Sequence, residues 1–125
     1  MRIDEIDFGG RIKLDAYGDG GFRVSGHFHL GSMLLTPTGP KPWRPCALDD
    51  VTIDDFAPLM AERDGFEVIM FGTGARFAPP AKALRQALRA ANLLVEFMDT
   101  GAACRTFNVL LAENRRVAAA LLAID

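Results

Sequence analysis

Several things are scarce in this chain of 125 residues, which holds two cysteines, one tryptophan, one tyrosine and two histidines. Cys46 and Cys104 lie far apart, in no Cys-x-x-Cys or zinc spacing, and read as reduced, unpaired small hydrophobes. No apolar run approaches the roughly 18 residues of a membrane span. The opening Met-Arg-Ile-Asp-Glu-Ile-Asp is acidic and lacks the apolar stretch of a secretory signal, so a cytoplasmic location is expected. Fourteen basic against sixteen acidic residues give a net charge of −2, which argues against nucleic acid as a partner. There is no serine nucleophile elbow, no Walker pattern and no Gly-x-Gly-x-x-Gly.

What is present suits one soluble domain over residues 1–125, with half of its residues hydrophobic and 24% charged. Residues 11–48 form a β-rich part and 49–125 an α/β part. In the first, Ile12, Leu14 and Ala16 alternate with Arg11, Lys13, Asp15 and Tyr17, a period of two. Gly18-Asp19-Gly20-Gly21 is a turn cluster, and Gly26 and Gly31 mark bends, so residues 11–36 are expected to form a β-meander. Four prolines between Pro37 and Pro45 predict an irregular surface loop, with Trp43 lidding the core edge or anchoring a partner. Cys46-Ala47-Leu48 is expected to add a short strand. A helix should start near Thr52 to Asp55, because Pro58 must fall in its first turn.

From residue 66 the pattern becomes strand, helix, strand, helix, strand. Residues 66–71 and 93–98 are apolar runs, each followed by a helix, and residues 117–124 close the alternation. The two strand-to-helix exits, at Gly72-Thr73-Gly74 and at Asp99-Thr100, should face each other above parallel strands, where open α/β sheets bind ligands. Gly72, Thr73, Gly74 and Arg76 on one side, with Glu96, Thr100, Arg105 and Asn108 on the other, are therefore the candidate ligand-binding residues. Gly72-Thr73-Gly74 reads either as a tight strand exit or as backbone lying close to a ligand. Glu96 interrupts an apolar strand. It is either exposed at a strand edge or buried, and a carboxylate buried there needs a partner. Arg105 on the following helix is the preferred one, with Arg76 and the hydroxyls of Thr100 and Thr106 also in reach, and Glu96→Ala would then cost about 3–5 kcal/mol. Cys104, about one turn into a helix, could have its thiol pKa lowered by the helix dipole. His27 and His29 share a strand face, as a zinc pair would, but no third ligand is evident, so no metal and no cofactor are expected.

The stretch Glu96-Phe97-Met98-Asp99-Thr100-Gly101-Ala102-Ala103-Cys104-Arg105-Thr106-Phe107-Asn108-Val109-Leu110, with Glu113, Arg115 and Val117, resembles a family signature. Phe71-Gly72-Thr73-Gly74, Gly20-Gly21-Phe22 and Gly31-Ser32-Met33-Leu34 fit the same resemblance. The family is that of small uncharacterised bacterial and archaeal proteins that includes the mitochondrial NADH:ubiquinone oxidoreductase (complex I) assembly factor 3 and the adipogenesis-associated domain protein. The resemblance implies three layers built on a mixed five-stranded sheet, with helices on one side and further β structure with a helix on the other. It also implies a non-catalytic binding or assembly role with a protein partner, self-association being open. The alternative from the residues alone is a binding protein or enzyme for a small anionic molecule, with its cleft at the strand exits.

Overall fold

Two Xaa-Gly turns shape the first half of the chain. Strands β1 (Leu14–Gly18) and β2 (Gly21–Val24) are joined by Asp19-Gly20, and β2 and β3 (His27–Leu30) by Ser25-Gly26. Both central residues of each turn have positive φ: 56° and 81° in the first, 49° and 86° in the second. That is the hairpin turn whose twist matches the flanking strands. The computed structural model describes residues 13–125; Arg11 and Ile12, assigned above to the first strand, lie outside the described residues.

The expected meander divides in two. Strands β1–β3 form an antiparallel sheet of their own, whereas β4 (Met33–Thr36) joins a second sheet. Gly31, at φ +93°, is where the chain leaves one sheet for the other. The proline segment is also corrected. Gly39–Pro42 forms β5, paired antiparallel with β4. It lies at the sheet edge, where proline's missing N–H is tolerated. Residues 46–48 add no strand. Leu48–Asp50 is a 3-10 turn, as the poor strand propensity of Asp49 and Asp50 favours.

The second sheet has the order β5-β4-β8-β6-β7, with β6 at Val68–Gly72, β7 at Val95–Met98 and β8 at Val117–Leu121. Strand β6 runs parallel to both β7 and β8, and β4 pairs antiparallel with β8. This is the expected mixed five-stranded sheet, and strands 66–71 and 93–98 are parallel neighbours as expected. Before β6 comes a 3-10 turn at Ile53–Phe56 with a reciprocal Thr52–Asp55 capping box, leading into the short α1 (Ala57–Met60) with Pro58 in its first turn. Helix α2 (Lys82–Ala90) links β6 to β7, and α3 (Thr100–Ala112) links β7 to β8. Asp99 caps α3, its Oδ1 accepting from Ala102 N–H at 2.9 Å.

Each face of the sheet has its own core. On one, Met33, Leu35, Val68, Met70 and Ala119 pack with Phe22 and Val24 of the small sheet and with Ala103, Phe107 and Leu111 of α3. On the other, Leu34, Ile69, Phe71 and Ala120 pack with Leu84 and Leu88 of α2, Leu59, Phe56 and Trp43. Trp43 meets Phe56 and Phe71 edge-on at 5.6 and 5.7 Å between ring centroids. Its indole N–H donates to the Asp55 carbonyl at 2.8 Å, so it lids the core rather than standing free. Strand β8 is built of Val-Ala-Ala-Ala-Leu, and every residue is buried. Alanine is a poor strand former, but between two layers of large side chains a methyl group is what fits.

Candidate functional site

The loop after β6 leads to α2 on one face of the sheet, and the loop after β7 leads to α3 on the other. Such a divergence opens a crevice at the carboxyl ends of parallel strands. Here the crevice is laced shut. Thr100 N–H donates to the Gly74 carbonyl at 2.8 Å, and Thr100 Oγ1 accepts from Gly74 N–H at 3.0 Å. The same hydroxyl donates to the Leu122 carbonyl at 2.7 Å, so one fully buried threonine binds the exits of β6 and β8 to the start of α3. Thr73 N–H donates to the Met98 carbonyl at 2.8 Å, and Leu122 N–H to that of Gly72 at 3.1 Å. A Cβ on Gly72 would lie 2.8 Å from both Cα and Oγ1 of Thr100. The close approach made at this glycine is therefore to Thr100.

Thr73 is buried as well. Its hydroxyl donates to the Arg76 carbonyl at 3.0 Å and accepts from Ala78 N–H at 3.2 Å, closing a small turn. The Arg76 residue is exposed. Beside this lacing lies an open cavity of about 540 Å³, bordered by Thr73, Gly74, Cys46, Leu48 and Ile124.

Arg105 and Asn108 belong to a second hollow, of about 260 Å³, between α3 and β1. Asn108 holds β1 as a neighbouring strand would: its Oδ1 accepts from Leu14 N–H at 3.2 Å and its Nδ2 donates to the Leu14 carbonyl at 2.6 Å. The Arg105 guanidinium donates to the Tyr17 hydroxyl at 2.8 Å. Tyr17 was not singled out from sequence; the signal was the chain's one tyrosine on the polar phase of an alternating strand. The thiol of Cys104 borders this hollow, and burial pushes it up to about 12, the nearby Arg105 charge only partly opposing. Desolvation outweighs the helix dipole, which corrects the expectation of a lowered thiol pKa. Neither cysteine is in a disulfide; Cys46 is exposed and Cys104 buried.

Glu96 corrects a further expectation. It is exposed on β7, the edge strand, and is not paired with Arg105. An edge strand buries only part of its surface, and the apolar residues on either side of Glu96 mislead because Leu94 is itself 62% exposed. Glu96 borders a third hollow, a groove of about 430 Å³ with Met70, Leu94, Met98 and Leu110. The eight candidate residues therefore do not converge. Gly72, Thr73, Gly74 and Thr100 lace the strand exits, Arg105 and Asn108 fasten β1, Glu96 lies at the sheet edge and Arg76 faces solvent. His27 is exposed and His29 half-buried on β3. Among the described residues no group of three or more His, Cys, Asp or Glu side chains is placed to hold a metal ion.

A family model described as a protein of unknown function, DUF498/DUF598, matches residues 14–122. The chain belongs to the DUF498/DUF598 family. Its relatives in that family include an uncharacterised protein of Rhodobacter capsulatus, 38% identical over 122 residues, covering 98% of this chain and 93% of that one. The human NADH dehydrogenase [ubiquinone] 1 alpha subcomplex assembly factor 3 is 34% identical over 111 residues, which are 89% of this chain but 60% of the human protein. Among solved structures, an outer membrane protein from Bartonella henselae superposes with a TM-score of 0.84 at 41% identity, over 94% of this chain and 99% of the other. The resemblance drawn from residues 96–117 and from the shorter motifs thus extends over residues 14–122 of the chain. No helix among the described residues is long and apolar enough to cross a membrane.

Proposed function

We propose that this chain is a protein-binding assembly domain acting, from the cytoplasmic side, on respiratory complex I or its unassembled subunits. The observation that carries the reading is the 34% identity over 89% of the chain to a protein named as a complex I assembly factor. The site geometry supports binding over catalysis. The Thr100 hydroxyl, the Asn108 amide and the Arg105 guanidinium, which would serve a cleft, are each engaged with backbone or with Tyr17. A domain whose polar groups brace its own strands offers partners its outer surfaces, and here Phe28, Leu30 and Leu94 are 45%, 78% and 62% exposed.

Deleting the gene in its host tests the reading. Native gels should show complex I subassemblies accumulating, with NADH:ubiquinone oxidoreductase activity falling in proportion. Restoration by the full chain completes the test, and normal complex I without the chain would overturn it. A second reading keeps a small anionic ligand in the cavity of about 540 Å³ at the strand exits, favoured by Thr73 and Gly74 at its border. Chemical-shift changes confined to residues 73–75 and 122–125 on adding inorganic phosphate would favour that reading.

A further inference from the structure

The sheet ends at β7, and no described strand pairs with its outer edge. On the inner side, Ile69 N–H donates to the Leu94 carbonyl at 2.9 Å and Thr73 N–H to that of Met98 at 2.8 Å. Residues of a parallel ladder alternate in the direction of their backbone groups. Leu94, Glu96 and Met98 therefore bond toward β6, while Val95 and Phe97 turn their N–H and C=O groups outward. These two donors and two acceptors form a template for one more strand. The opposite edge of the sheet is β5, with proline at two of its four positions, and is blunted by its missing donors.

Alongside β7 runs the groove of about 430 Å³ bordered by Met70, Leu94, Met98, Leu110 and Glu96. An added strand would direct every second side chain onto this face. Glu96, central on that face, is exposed, and its carboxylate makes no ion pair or hydrogen bond with any described residue. On the groove's rim, the Arg115 guanidinium is already engaged by Glu67 at 2.7 Å.

Charge decides between a second copy and a different chain. Two copies meeting antiparallel about a two-fold axis use all four outward groups in only one register, Val95 opposite Phe97 in both directions. That register sets Glu96 directly opposite Glu96 of the second copy, in the pair type where side chains come closest. Like charges so placed are destabilising, and an opposite charge is favourable.

We propose that β7 captures, by strand addition, an extended segment of a partner protein that carries a lysine or arginine opposite Glu96 and apolar side chains two residues to either side. This deepens the assembly reading and rests on it.

The test uses the full 15N-labelled chain and blocked peptides of sequence Thr-Leu-Thr-Lys-Thr-Leu-Thr and Thr-Leu-Thr-Glu-Thr-Leu-Thr. The lysine peptide should shift the amides of residues 94–98 and bind roughly fivefold tighter than the glutamate peptide at low salt, the sum of one favourable and one unfavourable cross-strand pair. Glu96→Lys, an exposed change, should reverse the preference. Shifts elsewhere, no shifts at millimolar peptide, an unreversed preference in Glu96→Lys, or dimerisation of the wild-type chain through β7 would each overturn the proposal. In the host, complex I that assembles normally with Glu96→Lys yet fails on gene deletion would overturn the β7 site and leave the assembly reading standing.

Discussion

Thr100→Val removes one oxygen and keeps the shape of the side chain. The hydroxyl is fully buried, donates to Leu122 at 2.7 Å and accepts from Gly74 at 3.0 Å. Valine leaves a carbonyl and an N–H facing a methyl group, and a buried unsatisfied polar group costs about 1–3 kcal/mol. Two of them give about 2–6 kcal/mol for Thr100→Val, a large part of the roughly 5–15 kcal/mol that holds a domain of this kind together. Thr100→Ser keeps the oxygen and loses a methyl group, which costs about 0.5–1.5 kcal/mol. Valine keeps threonine's branching at Cβ, and the residue only opens the helix, after the Asp99 cap, so helix propensity adds little to either difference. Urea unfolding followed by the near-ultraviolet signal of Trp43 reads the two midpoints at constant slope. A valine variant within about 0.5 kcal/mol of wild type, or a serine variant less stable than the valine one, would refute the claim that this hydroxyl laces the strand exits.

Glu96→Ala should leave the urea midpoint within about 0.5 kcal/mol of wild type, because the carboxylate is exposed at an edge; a loss of several kcal/mol would restore the buried-pair reading. Asn108→Ala should cost about 2 kcal/mol from two lost bonds to Leu14 and should raise hydrogen exchange in β1, so unchanged protection there would contradict the clamp. In the native protein a thiol reagent should label Cys46 within minutes and Cys104 only under denaturant; equal labelling rates would show that α3 does not shield its thiol. Asp55 is held below its ordinary 3.8 chiefly by the hydrogen bond from Arg44, against the opposing effect of burial. Its contribution is therefore complete above the unfolded value and lost as pH falls through the lower folded value. Arg44→Ala should flatten the fall in stability below about pH 4, which acid titration of the two proteins checks.

The α/β half was legible because its signals are local and agree with one another. The apolar run of β6, the Asp99 cap and the apolar face of α3 at Ala103, Phe107 and Leu111 each point to the same element that forms. The first half was less legible because sheet membership is not local. Gly31 announced an interruption, but nothing near it shows that β4 will pair with β8, some eighty residues on. The proline segment misled in the same way, since β5 exists only because β4 offers it an edge. For the candidate site, residue type was informative and environment was not. Thr100, Asn108 and Gly72 read as ligand contacts in the sequence, and the contacts they make in the structure are with the chain itself. Glu96 was misplaced because an edge strand and a central strand share one apolar pattern, and only sheet order separates them.

Strand β8 lies in the middle of its sheet, yet it follows every one of its neighbours in the sequence. While a ribosome is making this domain, β4 and β6 have both emerged before residues 117–121 exist, and each has an inner edge bare of its partner. The two faces of the core likewise have no common floor until three alanines arrive. Translation thus sets the order in which the domain becomes safe from its own kind. A nascent chain stalled before Val117 has two open edges that the finished sheet lacks and two half-covered apolar faces, and needs shelter until the last strand is inserted between them.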